Sequence, residues 1–124
     1  GVPSGEAKIL LLGWSYKAEV GDPRETPAEP LASALQSKNI AISAFDPHLR
    51  PEDFPAEIEV VEDIDSAEGY DLVVLVTAHQ ACLEIDWSGL AKRMNNPILY
   101  DGRRVLDLTK LENEGWQIHA VGRP

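Results

Sequence analysis

Short apolar runs, each closed by a turn residue, alternate along the chain with segments of helical periodicity. Lys8–Leu12 is apolar on both faces and stops at Gly13, as a buried parallel strand does. A polar loop follows over Trp14–Glu25. Thr26-Pro27-Ala28-Glu29 is a capping-box pattern with proline at the first helical position. Pro30 leaves a second possibility, a helix that starts at Pro30 behind Glu29. In both cases Leu31, Ala34 and Leu35 share one helical face that ends near Lys38. Ile40–Phe45 reads as a second strand ended by Asp46-Pro47, and Arg50–Ile58 as a proline-rich loop. Ile64–Gly69 suits a short helix. Asp71–Val76, with Leu-Val-Val-Leu-Val at its centre, is the clearest buried strand. Thr77–Leu83 and Trp87–Met94 are helical, Pro97–Tyr100 is a strand, Leu108–Glu114 is a helical turn, and Trp116–Val121 is a last strand. Strands that alternate with helices predict a Rossmann-like three-layer α/β/α domain over residues 7–124, with a mostly parallel sheet of about five strands. Residues 1–6 read as a remnant of a linker.

Composition narrows the partners. The chain has 124 residues, 44% of them hydrophobic and 26% charged, which is one globular domain with a core of its own. Eleven basic against 21 acidic residues give a net charge of −10, so bulk attraction to nucleic acid or to an anionic membrane is not expected. The single cysteine, Cys82, excludes an intrachain disulfide and a cysteine-based zinc cluster, and makes the cytoplasm the expected compartment. No stretch is long and apolar enough to predict a membrane span.

In an open parallel sheet, ligands bind outside the carboxyl ends of the strands. That rule selects the loops carrying Tyr16, Lys17, Asp22 and Arg24; Asp46 and His48; Thr77 and His79; and Asp101, Arg103 and Arg104. Lys17, Arg24, Arg103 and Arg104 are four of the eleven cations, and they fall in two of these loops. Arginine and lysine there suit phosphate or carboxylate groups, although Arg103 or Arg104 paired with Asp101 or Asp107 is the commoner arrangement in a generic domain. Gly13-Trp14-Ser15-Tyr16 lacks the further glycines of a dinucleotide fingerprint, and no P-loop is present. Asp46 stands where such a fold holds a ribose, but Asp46-Pro47 is better read as a turn. His79 reads as an incidental loop histidine near the surface and Cys82 as a buried thiol. His48 and His119 lack a second ligand at metal spacing, so no metal is expected. Trp14, Trp87 and Trp116 are expected partly buried near element ends.

Gly13-Trp14-Ser15-Tyr16-Lys17, followed by Asp22-Pro23-Arg24-Glu25-Thr26-Pro27-Ala28, resembles the G-x-x-[FY]-K-x-x-x-x-D-x-R-E-[ST]-P-A motif of the UDP-glucose/GDP-mannose dehydrogenase family. Ala44-Phe45-Asp46-Pro47, Asp71–Thr77 and Tyr100-Asp101-Gly102-Arg103-Arg104 resemble further motifs of that family in the same order. The motif at residue 13 lies at the start of its C-terminal domain. The resemblance implies the nucleotide-sugar-binding domain of an NAD-dependent enzyme that oxidises C6 of a UDP-sugar, with UDP-glucose favoured and UDP-N-acetylmannosamine or GDP-mannose as alternatives. By position, Tyr16, Lys17 and Arg103 correspond to substrate-binding residues, and Arg24 to an arginine that reaches toward NAD. The family's catalytic cysteine and glycine-rich NAD loop have no counterpart here, so no catalytic residue is assigned. An upstream NAD-binding domain and a dimer partner would complete the enzyme. The other reading is a stand-alone nucleotide-binding or interaction module without catalysis.

Overall fold

A computed structural model of the chain describes residues 7–15, 28–38, 40–77, 79–101 and 106–120. Six parallel strands form its centre: β1 (Lys8–Leu12), β2 (Ala41–Phe45), β3 (Glu59–Val60), β4 (Leu72–Leu75), β5 (Ile98–Asp101) and β6 (Gln117–Ala120). Their order is β3-β2-β1-β4-β5-β6. The helices are α1 (Ala28–Gln36), α2 (Gln80–Leu83), α3 (Trp87–Arg93) and α4 (Leu108–Asn113). This is the expected Rossmann-like α/β architecture. The sixth strand, β3, is the addition. It pairs only Ser43 with Glu59 and Ala44 with Val60, too short a ladder to leave a periodic signal after the proline-rich loop.

Alternation along β1 divides the interior into two layers. Leu10 and Leu12 face one side, with Val73 and Leu75 of β4, Leu99 of β5, and Cys82, Trp87, Leu90 and Leu111 from the helices. Ile9 and Leu11 face the other, with Ile42 and Ala44 of β2, Ala28 and Ala32 of α1, and Trp14 and Phe54. β1 lies between β2 and β4, with α1 packed on one of its faces and α2, α3 and α4 on the other, and Leu10, Leu11 and Leu12 are all fully buried. That is why the run carries no polar alternation.

Several expectations shift by a few residues for identifiable reasons. Pro30 sits in the first turn of the described helix α1, where an amide hydrogen would have no intrahelical partner. The Ile64–Gly69 segment is a single 3-10 turn over Ile64–Ser66, capped by the Asp63 side chain. The helix expected from Thr77 begins instead at Gln80, because His79 is extended and stands as its N-cap. The tryptophans are buried rather than partly so. Trp87 and Trp116 meet edge to face at 5.7 Å, and the Trp116 indole donates to the Trp87 carbonyl at 2.9 Å.

Leu10 belongs to the layer shared by five strands and three helices. Leu10→Ala should therefore lower the unfolding free energy by about 2–5 kcal/mol in urea titrations, with the m-value unchanged.

Candidate functional site at the carboxyl edge of the sheet

The order of strand addition reverses between β1 and β4, since β2 and β3 lie on one side of β1 and β5 and β6 on the other side of β4. In this topology the carboxyl edge at that reversal is the ligand position. Three strand ends meet there. The Gly13 amide donates to the Phe45 carbonyl at 2.7 Å, and the amides of Val76 and Thr77 donate to the Leu12 carbonyl at 2.9 and 3.2 Å. Gly13 makes this approach possible. Its φ is +87°, and a Cβ there would lie 2.5 Å from the Thr77 Cβ and 2.7 Å from its amide nitrogen.

Asp46, the first residue after β2, ties these ends together. Its Oδ2 accepts from the amides of Trp14 and Ser15 and from the Ser15 hydroxyl, each at 2.8 Å, and lies 2.9 Å from His79 Nε2. Its Oδ1 accepts the His48 amide at 2.9 Å. The side chains of Asp46 and His79 are both fully buried. A carboxylate only accepts, so Nε2 of His79 carries a proton and donates it. The exposed His48 ring lies against the His79 ring with centroids 4.5 Å apart. Thr77 closes the network by donating its hydroxyl to the Ser15 carbonyl at 2.7 Å.

Burial alone would push the Asp46 carboxyl up. The amides of Trp14 and Ser15, the Ser15 hydroxyl and the His48 amide outweigh it and hold Asp46 below its ordinary value of 3.8. A second buried carboxylate, Asp101, stands at the end of β5, where its Oδ2 accepts the Leu106 amide at 3.1 Å. This bond spans the four residues 102–105.

The expectations at this edge fare differently. Tyr16, Lys17, Arg24, Arg103 and Arg104 lie outside the described residues. Asp46 does make the turn expected of Asp46-Pro47, through Oδ1, but it also organises the neighbouring strand ends. His79 is corrected: it is buried and bonded to Asp46 rather than lying near the surface, because the chain after β4 stays packed against Gly13–Ser15 before α2 starts. Cys82 is buried in α2, as expected of a core thiol. The amides of Trp14 and Ser15 occupy the position where a dinucleotide fold presents amides to a pyrophosphate, and here both are engaged by Asp46. The strand end does not fit an NAD pyrophosphate in this arrangement. Among the described residues no group of three or more His, Cys, Asp or Glu could hold a metal ion, and no helix is long and apolar enough to cross a membrane.

Known proteins align along most of the chain. The family model described as "UDP-glucose/GDP-mannose dehydrogenase family, UDP binding domain" matches residues 10–108. A UDP-glucose 6-dehydrogenase of Rickettsia conorii is 28% identical over 120 residues, covering 92% of this chain and 28% of the relative. A UDP-N-acetyl-D-mannosamine dehydrogenase of Methanococcus vannielii is 31% identical over 120 residues, covering 93% of this chain and 27% of the relative. The chain thus spans little more than a quarter of the length of these curated relatives. In fold it is similar to the crystal structure of an NDP-N-acetyl-D-galactosaminuronic acid dehydrogenase from Methanosarcina mazei, with a TM-score of 0.86, 23% identity, and coverage of 99% of this chain and 26% of that one.

Gly13→Ala should cost about 2–5 kcal/mol in denaturant unfolding, from the left-handed backbone and the clash with Thr77 together. The depressed Asp46 pKa carries a pH signature. The unfolded chain binds the proton first, so the stabilisation is complete above the ordinary value and is lost as pH falls through the folded one. Unfolding free energy measured against pH should therefore fall less steeply below 3.8 in Asp46→Asn than in the parent chain.

Proposed function

The chain belongs to the UDP-glucose/GDP-mannose dehydrogenase family, matched across that family's UDP-binding domain, and from that premise we propose that it holds the UDP part of a UDP-sugar oxidised at C6. The single observation that carries the reading is the match over residues 10–108, which takes in all four loops at the carboxyl edge. Tyr16, Lys17 and Arg103 are the proposed substrate contacts, and Arg24 the residue directed at NAD. In this reading NAD is bound mainly by an upstream domain. A dimer partner and a cytoplasmic setting complete the proposal, and this chain alone is inactive.

The geometry supports the division of labour. β1 and β5 end at the same edge two strand places apart, about 10 Å by ordinary strand spacing. A nucleoside diphosphate can bridge such a span. Fixed cations on either side of it would neutralise the diphosphate, and a second domain closing over the edge would exclude water.

UDP-glucose is the first substrate to test. UDP-N-acetylmannosamine is the second, because the Methanococcus vannielii relative named for that sugar is 31% identical. Calorimetric titration of the chain should show UDP binding, weaker or absent binding of GDP, and about a tenfold to hundredfold loss in Arg103→Ala, the effect of removing one charge-assisted contact. Absence of UDP binding, or an unchanged affinity in Arg103→Ala, would overturn the assignment.

A further inference from the structure

Four donors from two separate pieces of chain converge on one oxygen: two consecutive amides and a serine hydroxyl from Trp14–Ser15 and an imidazole N–H from His79 surround Asp46 Oδ2. Consecutive amides aimed at one point, with added hydroxyl and ring donors, make an anion-binding concavity. This one stands at the end of the first strand beside the sheet's reversal, where a doubly wound fold of this order receives a phosphate group. It is already filled, by an anion the chain supplies itself.

We propose that Asp46 is the built-in occupant of an anion cradle made by Trp14, Ser15 and His79, and that it is a specificity-determining residue: its carboxylate keeps the phosphate groups of nucleotides out of this cradle. Three features support the assignment. Both side chains of the Asp46–His79 pair are fully buried, so the anion is desolvated and held by the cradle rather than by water. Each of these four contacts to Oδ2 comes from a donor, as an anion site requires. Gly13 brings the strands together without a side chain in between, as the close backbone approach at a phosphate site does. A second anion beside the carboxylate would meet like charge at short range in a water-poor setting. A nucleotide's phosphates are therefore directed to other loops of the same edge.

Removing the carboxylate should open the cradle to inorganic phosphate. Asp46→Ala and the parent chain would be melted with 0 and 50 mM phosphate, sodium chloride balancing ionic strength. The expected result is a rise of roughly 4–10 °C in the variant beyond any rise in the parent, as for a ligand that binds the folded form with millimolar affinity. Equal responses in the two proteins would overturn the proposal. Should Asp46→Ala fold in neither buffer, Asp46→Ser replaces it. Its small hydroxyl can still accept the His48 amide in the turn while leaving the cradle open. Phosphate should then shift the amide ¹⁵N and ¹H resonances of Trp14 and Ser15 in Asp46→Ser and leave them unmoved in the parent. No shift in the variant would sink the idea. Both readouts use phosphate alone, so they stand whether or not the chain binds UDP.

Discussion

One carboxylate oxygen, Asp46 Oδ2, fixes how three strand ends meet. It reaches from the end of β2 across the end of β1 to the residue that precedes α2. A buried charge is tolerated only when its lone pairs are satisfied, and here donors surround it. The consequence is mutual dependence. The turn after β2, the first residues after β1 and the entry to α2 are positioned by the same carboxylate, the turn through Oδ1 and the other two through Oδ2, and Gly13 provides the close backbone approach that lets them converge.

Local sequence carried most of the layer structure. The unbroken apolar run of β1 and the Leu-Val-Val-Leu core of β4 marked strands buried on both faces, and both lie at the sheet centre. The two-residue β3 left no such trace. At the carboxyl edge, Asp46-Pro47 was legible as a turn because the Oδ1–His48 bond is local. The other oxygen was not, since its partners lie 31, 32 and 33 residues away in sequence. For the same reason His79 looked incidental. Its loop position could be read, but not the packing that buries it. Tyr16, Lys17, Arg24 and Arg103 rest on the motif resemblance, and they lie in segments outside the described residues.

The edge also separates two properties that a shared topology tends to merge. The strand order is that of folds that hold dinucleotides, yet the amides that would face a pyrophosphate are turned to an internal carboxylate. A fold match alone would have placed phosphate at that point. The hydrogen bonds at the end of β1 place an aspartate there, and the buried Asp101 at the end of β5 shows a related use of a carboxylate, accepting the Leu106 amide.

The brevity of β3 has a colloidal side. As the outermost strand next to β2 it presents an open edge onto which another molecule's strand could add, but its ladder is only two residues long. Exposed Glu57, Glu59 and Glu62 crowd that margin with like charge. A short, acidic margin is a poor template for intermolecular β-pairing. Part of the chain's −10 net charge is thus placed where it discourages self-association.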